Sequence, residues 1–282
     1  MKNKYFFVII RFAFHFIILL SMGFVSETHA QLKAGASSEV INPSPGSFIA
    51  GHSHNRKFTG VHDNLYAKAV VVESDTNALA ILTVDCIGLM YPQLQTIRRK
   101  VSAMLDRRSF DASHIILSST HTHAGPDVVG LWGPDILHSG VDTAYIQFLT
   151  DVAATQVVKA WHSRESVTAE YAVTTHGDGW VQNISEPAEL DRSVTVLRFR
   201  NAKGNVVASM TNFACHPTFV DAVHDKISAD YVGGLYSKLD EKWGGVNLFL
   251  QGSIGGWVQP EHHPPPVPGG KCRDVVEYAH VG

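Results

Sequence analysis

The sequence predicts an α/β domain of mixed β-sheets flanked by helices. Three observations carry that prediction. Short runs rich in Val, Ile, Leu and Thr recur along the chain at strand length. Three longer segments carry apolar residues at helical spacing. Strands and helices alternate in the first half, whereas the middle reads as two successive strands, which points to a mixed rather than a purely parallel sheet.

Taken in order, strands are predicted near 66–73 (YAKAVVVE) and 78–86 (ALAILTVDC), with a helix over 92–107 behind a proline that suits a first helical turn. A strand at 114–119 (HIILSS) and a helix at 144–163 follow. Strands at 168–174, 193–200 and 205–213 come next, the last two reading as an antiparallel pair turning at Asn201 to Gly204. A helix at 233–243 leads into a strand at 247–251. The stretch HHPPPVPGG at 262–270 is a loop, because prolines at that density continue neither element. No internal repeat or linker divides 31–282. Its last residues, KCRDVVEYAHVG, read as the first turns of a helix with no cap or closing strand, so the domain is expected to be incomplete at its C-terminus.

Composition bounds the function. At 45% hydrophobic and 17% charged, the 282-residue chain suits an ordered domain with a substantial core. A formal charge of −3 offers no basic excess to attract nucleic acid or an anionic membrane. The basic cluster Arg98-Arg99-Lys100 with Arg107-Arg108 reads as a solvated helix face. Residues 1–30 have a different character: Lys2 and Lys4 precede an apolar stretch from Phe12 to Val25, then Thr28-His29-Ala30. That is the order of a secretory signal peptide cleaved after Ala30, which predicts a secreted or periplasmic protein. The rival reading is a membrane anchor, but Arg11 and His15 interrupt the stretch and leave it short of the roughly 20 residues a span needs. Cys86, Cys215 and Cys272 fit neither a disulfide framework nor a zinc ribbon, and the first two read as buried thiols.

The chemistry gathers where strands end. In STHTHAGP, extended geometry would point His121 and His123 to one side, and two imidazoles make half of a zinc site. The alternative is two histidines hydrogen-bonded to loop carbonyls. In TNFACHPTFV, His216 ends a second apolar strand and Pro217 again breaks it. Asp230, in ISADYVGG, is either a site carboxylate or a helix cap. His62-Asp63 is an orienting pair or a turn. His-Ser-His at 52–54 reads as surface, and His262-His263, among prolines, as a poor site. Gly252, Gly255 and Gly256 would let backbone N–H groups approach an oxyanion. Ser253 lies among them without a nucleophile-elbow motif.

Together KAGASSEVINP, GVHDNLYAKAVVVE, LTVDCIGL, SSTHTHAGP, VTVLRF, NFACHPT, ISADYVGG and LFLQGSIGG resemble the catalytic domain of the neutral/alkaline non-lysosomal ceramidases, in order from about residue 33 onward. The resemblance implies a ceramidase-type fold and a zinc-dependent hydrolase that cleaves the amide of a ceramide-like lipid. It implies His121 and His216 as zinc ligands, with His123 and His62 lining the site as catalytic groups. Gly255, Gly256 and Asp230 are the candidates for substrate or oxyanion contacts. Three departures stand out. The family's other zinc ligands, a Glu and a Tyr, come from segments beyond Gly282. The family's serine after the glycine turn has no counterpart in GGWVQP, and VQNISEP lacks the family's arginine.

The sequence therefore predicts an exported zinc hydrolase acting on an N-acyl lipid by metal-activated water, with a small-molecule lipid or N-acyl substrate, no nucleic acid, and a membrane surface as a possible source of substrate. A binding protein that keeps the fold without the activity, or a zinc hydrolase of another ester or amide, is the alternative. A metallo-β-lactamase is excluded, since Ala124-Gly125-Pro126 stands where its further ligands would be.

Overall fold

A computed structural model describes residues 31–260, apart from 76, 179 and 221–224. Its strands are β1 Leu32–Val40, β2 Gly60–Val61, β3 Tyr66–Ser74, β4 Asn77–Val84, β5 Ile115–Ser119, β6 Glu165–Thr175, β7 Val181–Asn183, β8 Ser193–Asn201, β9 Val206–Phe213, β10 Lys226–Ile227, β11 Val246–Gln251 and β12 Val258–Pro260. Its helices are α1 Tyr91–Met104, α2 Thr143–His162 and α3 Tyr231–Trp243.

The main sheet has eight strands in the order β11-β9-β8-β6-β1-β3-β4-β5. β1 and β6 share only the pairs Lys33–Ser166 and Ala34–Glu165, so the sheet divides there into two four-stranded halves. Ala34 and Val70 from one half pack against Phe199, Ala208, Met210 and Leu248 from the other, so the halves lie face to face. On the far face of the first half, Ala69, Val71, Leu82 and Val84 meet Ile97 and Val101 of α1 and Leu149, Ala153 and Val157 of α2. On the far face of the second half, Phe213 and Phe249 meet Val232 and Tyr236 of α3. β3 is covered on both faces, which is why it reads as an unbroken apolar run rather than an alternation.

The predicted fold class holds, as does the antiparallel turn between β8 and β9. β1 went unread because LKAGASSEV is made of small residues. Its Gly35 lies so close to the end of α2 that a Cβ there would strike Ala160, Ser163 and Arg164. Tyr66–Ser74 is thus the third strand rather than the first. α1 stops at Met104 instead of 107, because the Asp106 side chain takes up the Arg108 N–H and closes a turn. Of the basic cluster, Arg99, Arg107 and Arg108 are exposed, as the solvated-face reading expects, whereas Arg98 and Lys100 are partly buried. Arg98 donates to the Ser113 and Ile115 carbonyls and Lys100 to Thr150, tying the helix to its neighbours. Cys86 and Cys215 are buried free thiols, as expected. Cys272, His262-His263 and the leader lie outside the described residues. No helix among the described residues is long and apolar enough to cross a membrane.

Candidate metal centre

β4 and β5 run parallel, and so do β9 and β11. The loops that leave their C-terminal ends deliver His121, His123 and His216 to one place. The rings of His121 and His216 are 5.0 Å apart between centroids, His121 and His123 5.2 Å, and His123 and His216 5.7 Å. One nitrogen from each lies within 4.8 Å of the others, the one such cluster of potential metal ligands among the described residues.

Each imidazole is held differently. β5 ends at Ser119, and His121 adopts a left-handed backbone with φ 69°. The His121–His123 pair is therefore gathered by a bend and not by the strand alternation predicted from the sequence. The His121 N–H donates to the Cys86 carbonyl at 3.0 Å, and its Nδ1 lies 2.5 Å from the Ile87 carbonyl. A carbonyl only accepts, so Nδ1 carries the proton and Nε2 keeps its lone pair. His216 repeats the device with one partner: its N–H and Nδ1 both approach the Val258 carbonyl, at 2.9 and 2.7 Å. His123 donates its N–H to the Pro217 carbonyl, next to His216, and its ring is backed by Gly51. At Gly51, with φ +111°, a Cβ would sit 2.6 Å from His123 Cβ.

Burial first, then the positive charge His123 would carry, lowers His121 to about 4. Burial likewise lowers His216. Both rings are neutral near pH 7, the form in which imidazole binds a metal.

His62 lies outside the cluster of three. Its Nδ1 is 2.7 Å from Asp63 Oδ2, and Asp63 in turn accepts from Ser228 Oγ at 2.5 Å and the Ala229 N–H at 2.7 Å. The Ser228 N–H donates to the Ala124 carbonyl, and Thr122 Oγ1 donates to the Ser228 carbonyl. The 227–229 segment thus links the His62-Asp63 pair to the residues flanking His123. This settles the choice left open for Asp63: it orients His62.

Of the two readings of Asp230, the structure shows the helix cap. It is fully buried, caps α3 through the Tyr231 N–H, and accepts the Val220 N–H at 2.8 Å. Burial raises it to about 7. Gly255 and Gly256 lie in an exposed turn outside the imidazole cluster. The Gly256 carbonyl accepts the Ser185 N–H, and at φ +73° a Cβ there would press on Asn183. The turn reaches the site indirectly, by pairing β12 with β7 and so presenting the Val258 carbonyl to His216. Ser253 is exposed, as are His52 and His54.

Sequence reasoning missed Gly51, the Ile87 and Val258 carbonyls, Ser228 and Asp85. Carbonyls have no sequence signature. Asp85 had one, an acidic residue closing an apolar strand. It is fully buried and accepts the Tyr66 N–H at 2.8 Å and the Tyr236 hydroxyl at 3.2 Å. Nearby, buried Lys68 donates to the Asn247 carbonyl at 2.8 Å and lies 3.1 Å from the Tyr236 ring centroid. Burial raises Asp85 to about 6 and lowers Lys68 to about 8, and each charge partly offsets the shift of the other. Cys86 and Ile87, which hold His121, follow Asp85 directly.

The family model for neutral/alkaline non-lysosomal ceramidase, N-terminal, matches residues 43–252. Neutral ceramidase A of Dictyostelium discoideum is 25% identical over 252 residues, covering 77% of this chain and 34% of its own length. A neutral ceramidase of Oryza sativa subsp. japonica is 22% identical over 245 residues, covering 80% of this chain and 31% of its own length. The crystal structure of neutral ceramidase from Pseudomonas aeruginosa superposes with a TM-score of 0.76 at 19% identity, over 90% of this chain and 43% of that one. The chain thus spans about a third of the length of the curated relatives it matches.

Proposed function

This chain belongs to the neutral/alkaline non-lysosomal ceramidase family, and we propose from that premise that it is an exported zinc-dependent hydrolase of an N-acyl lipid amide. The observation that carries the reading is the imidazole cluster, with two of its rings fixed by backbone carbonyls as Nε2 donors. The donor set suits zinc: the imidazoles of His121 and His216, each with its Nε2 lone pair free of the proton, supply two of the three protein ligands a catalytic site needs. His121 and His216 would hold the ion. When bound there, zinc supplies Lewis-acid activation of water and of the amide carbonyl.

The remaining work falls to the chain's own residues. His123, seated against Gly51, borders the space between the two ligands and would hydrogen-bond the substrate carbonyl. His62, oriented through Nδ1 by Asp63, would serve as the proton-transfer group toward the leaving amine. Gln259 pairs with Gln182 in the β12–β7 ribbon, where the resemblance would place a serine. That favours water over a covalent nucleophile.

The test is hydrolysis of a water-soluble short-chain N-acylsphingosine by the full chain. Activity should disappear on chelation and return with zinc. Hydrolysis indifferent to chelation, or absent from zinc-loaded chain, overturns the reading. Export is tested by N-terminal sequencing of the extracytoplasmic protein, which should begin at or near Gln31. Intact Met1 in a membrane pellet would favour the anchor instead.

A further inference from the structure

Five consecutive buried residues, Ile227 to Tyr231, make hydrogen bonds to every arm of the site. The Ile227 carbonyl accepts the His62 N–H at 2.8 Å. The Ser228 N–H donates to the Ala124 carbonyl at 3.0 Å, and Thr122 Oγ1 donates to the Ser228 carbonyl at 2.8 Å. Those two bonds hold the chain on both sides of His123. Asp230 accepts the N–H of Val220, in the loop that follows His216. The Tyr231 hydroxyl donates at 2.8 Å to the carbonyl of Cys215, the residue before His216. The segment is therefore a crosspiece that joins His62, His123 and His216.

Within it, the Ser228 side chain makes the bond that matters to the chemistry. Its Oγ accepts the Asp230 N–H at 3.0 Å, so its own proton goes to Asp63 Oδ2, 2.5 Å away. The same Oδ2 lies 2.7 Å from His62 Nδ1, and the other carboxylate oxygen takes the Ala229 N–H at 2.7 Å. Two donors from the crosspiece thus fix both oxygens of Asp63. Donors on both oxygens favour the ionised carboxylate, which takes the Nδ1 proton of His62 and leaves Nε2 as the basic nitrogen. A short hydroxyl-to-carboxylate bond is among the stronger ones a neutral side chain can make.

We propose that Ser228 is a positioning residue for hydrolysis: its hydroxyl fixes the tautomer and orientation of His62 through Asp63, in register with the backbone that carries both zinc ligands. Thr122 follows His121 and Cys215 precedes His216, so the crosspiece ties the proton-transfer pair to both. Ser228 touches neither the reacting atoms nor the metal in this account. It acts through Asp63. The inference rests on the reading of the site as a hydrolase in which His62 transfers the proton.

The experiment uses the full chain with two readouts. The first is the nitrogen NMR spectrum of the His62 ring in zinc-free protein at neutral pH. Wild type should show Nδ1 protonated and Nε2 bare, and Ser228→Ala should draw the two signals toward a common average. The second is hydrolysis of the water-soluble short-chain N-acylsphingosine by zinc-loaded chain, where Ser228→Ala should lower kcat by about 10–100-fold with KM and zinc content unchanged. Two further variants separate the hydroxyl from packing and serve if Ser228→Ala does not fold. Ser228→Cys keeps the shape with a weak donor and should behave like Ser228→Ala, whereas Ser228→Thr keeps the hydroxyl and should recover most of kcat. A packing role predicts the reverse order, and that result overturns the proposal. So does a single Nδ1-protonated tautomer in Ser228→Ala, or zinc lost in step with kcat. Wild type that is inactive when zinc-loaded would sink the function reading, and the ring spectra would still decide whether Ser228 sets the His62 tautomer.

Discussion

His121 and His216 reach the same point by two differently supported arms. His121 rests on the central scaffold: its partners are the carbonyls of Cys86 and Ile87, which continue β4 past its parallel pairing with β5. His216 rests on a much shorter element. Its partner, Val258, belongs to a three-residue ribbon that follows an exposed glycine turn. One arm is therefore secured by the continuation of a long central strand, and the other by a short ribbon whose buried Val258 packs into the second core with Phe213, Cys215 and Phe249. The same sequence signal, a strand running into His and then Pro, is served by two kinds of support.

Removing both ligands is the most severe break. His121→Ala/His216→Ala should abolish stoichiometric zinc, read by elemental analysis of purified protein, and His121→Ala alone should lower hydrolysis by several orders of magnitude. Full zinc in the double variant would show that the imidazole cluster is not the metal site.

Next comes the arm on the central strand. Asp85→Asn leaves Lys68 buried without its counter-charge and should cost about 3 kcal/mol in urea unfolding. It should also weaken zinc binding roughly tenfold through His121. Its pH signature is specific. The native protein keeps a proton on Asp85, raised to about 6, that the unfolded chain releases near 3.8, so the contribution of Asp85 falls as pH rises from about 4 to 6, alongside that of Asp230 and against that of His121. Lys68 is lowered to about 8 from 10.5, so the unfolded chain binds the extra proton and stability should rise again above pH 8. Asp85→Asn should remove that one contribution, so its stability deficit relative to wild type should shrink as pH rises from about 4 to 6. An unchanged profile would detach Asp85 from this role.

Gly51→Ala probes the third imidazole, which neither arm carries. A Cβ at φ +111° and 2.6 Å from His123 should cost about 1–3 kcal/mol. It should lower hydrolysis about tenfold while zinc content stays whole, since His123 is displaced and the ligands are not. Zinc lost in step with activity would make His123 a ligand in its own right.

The smallest effect is expected on the side of the short ribbon. Ser253 is exposed and lies in the turn before β12, so Ser253→Ala should lose less than about tenfold in rate, or roughly 1.4 kcal/mol. If it is as inactive as His121→Ala while still holding zinc, covalent catalysis replaces metal-activated water.

The sequence by itself determined the strands that lead toward His121 and His216, because an apolar β-branched run broken by Pro specifies its own local structure wherever it sits. It also determined the mixed α/β class, and the alternatives for Asp63 and Asp230, because those residue types make only a few kinds of local bond. Only the tertiary structure decided which alternative held: Asp63 turns to His62, whereas Asp230 is drawn inside to cap α3. It likewise decided that strands about a hundred residues apart in sequence lie face to face and close the imidazole cluster. It decided that Gly51 must be bare, that Asp85 and Lys68 share one interior, and that the Ile87 and Val258 carbonyls set the histidine tautomers. The physical reason is that these are backbone and long-range relations. A carbonyl is the same in every residue, and nothing local to a chain records which distant carbonyl its imidazole will meet.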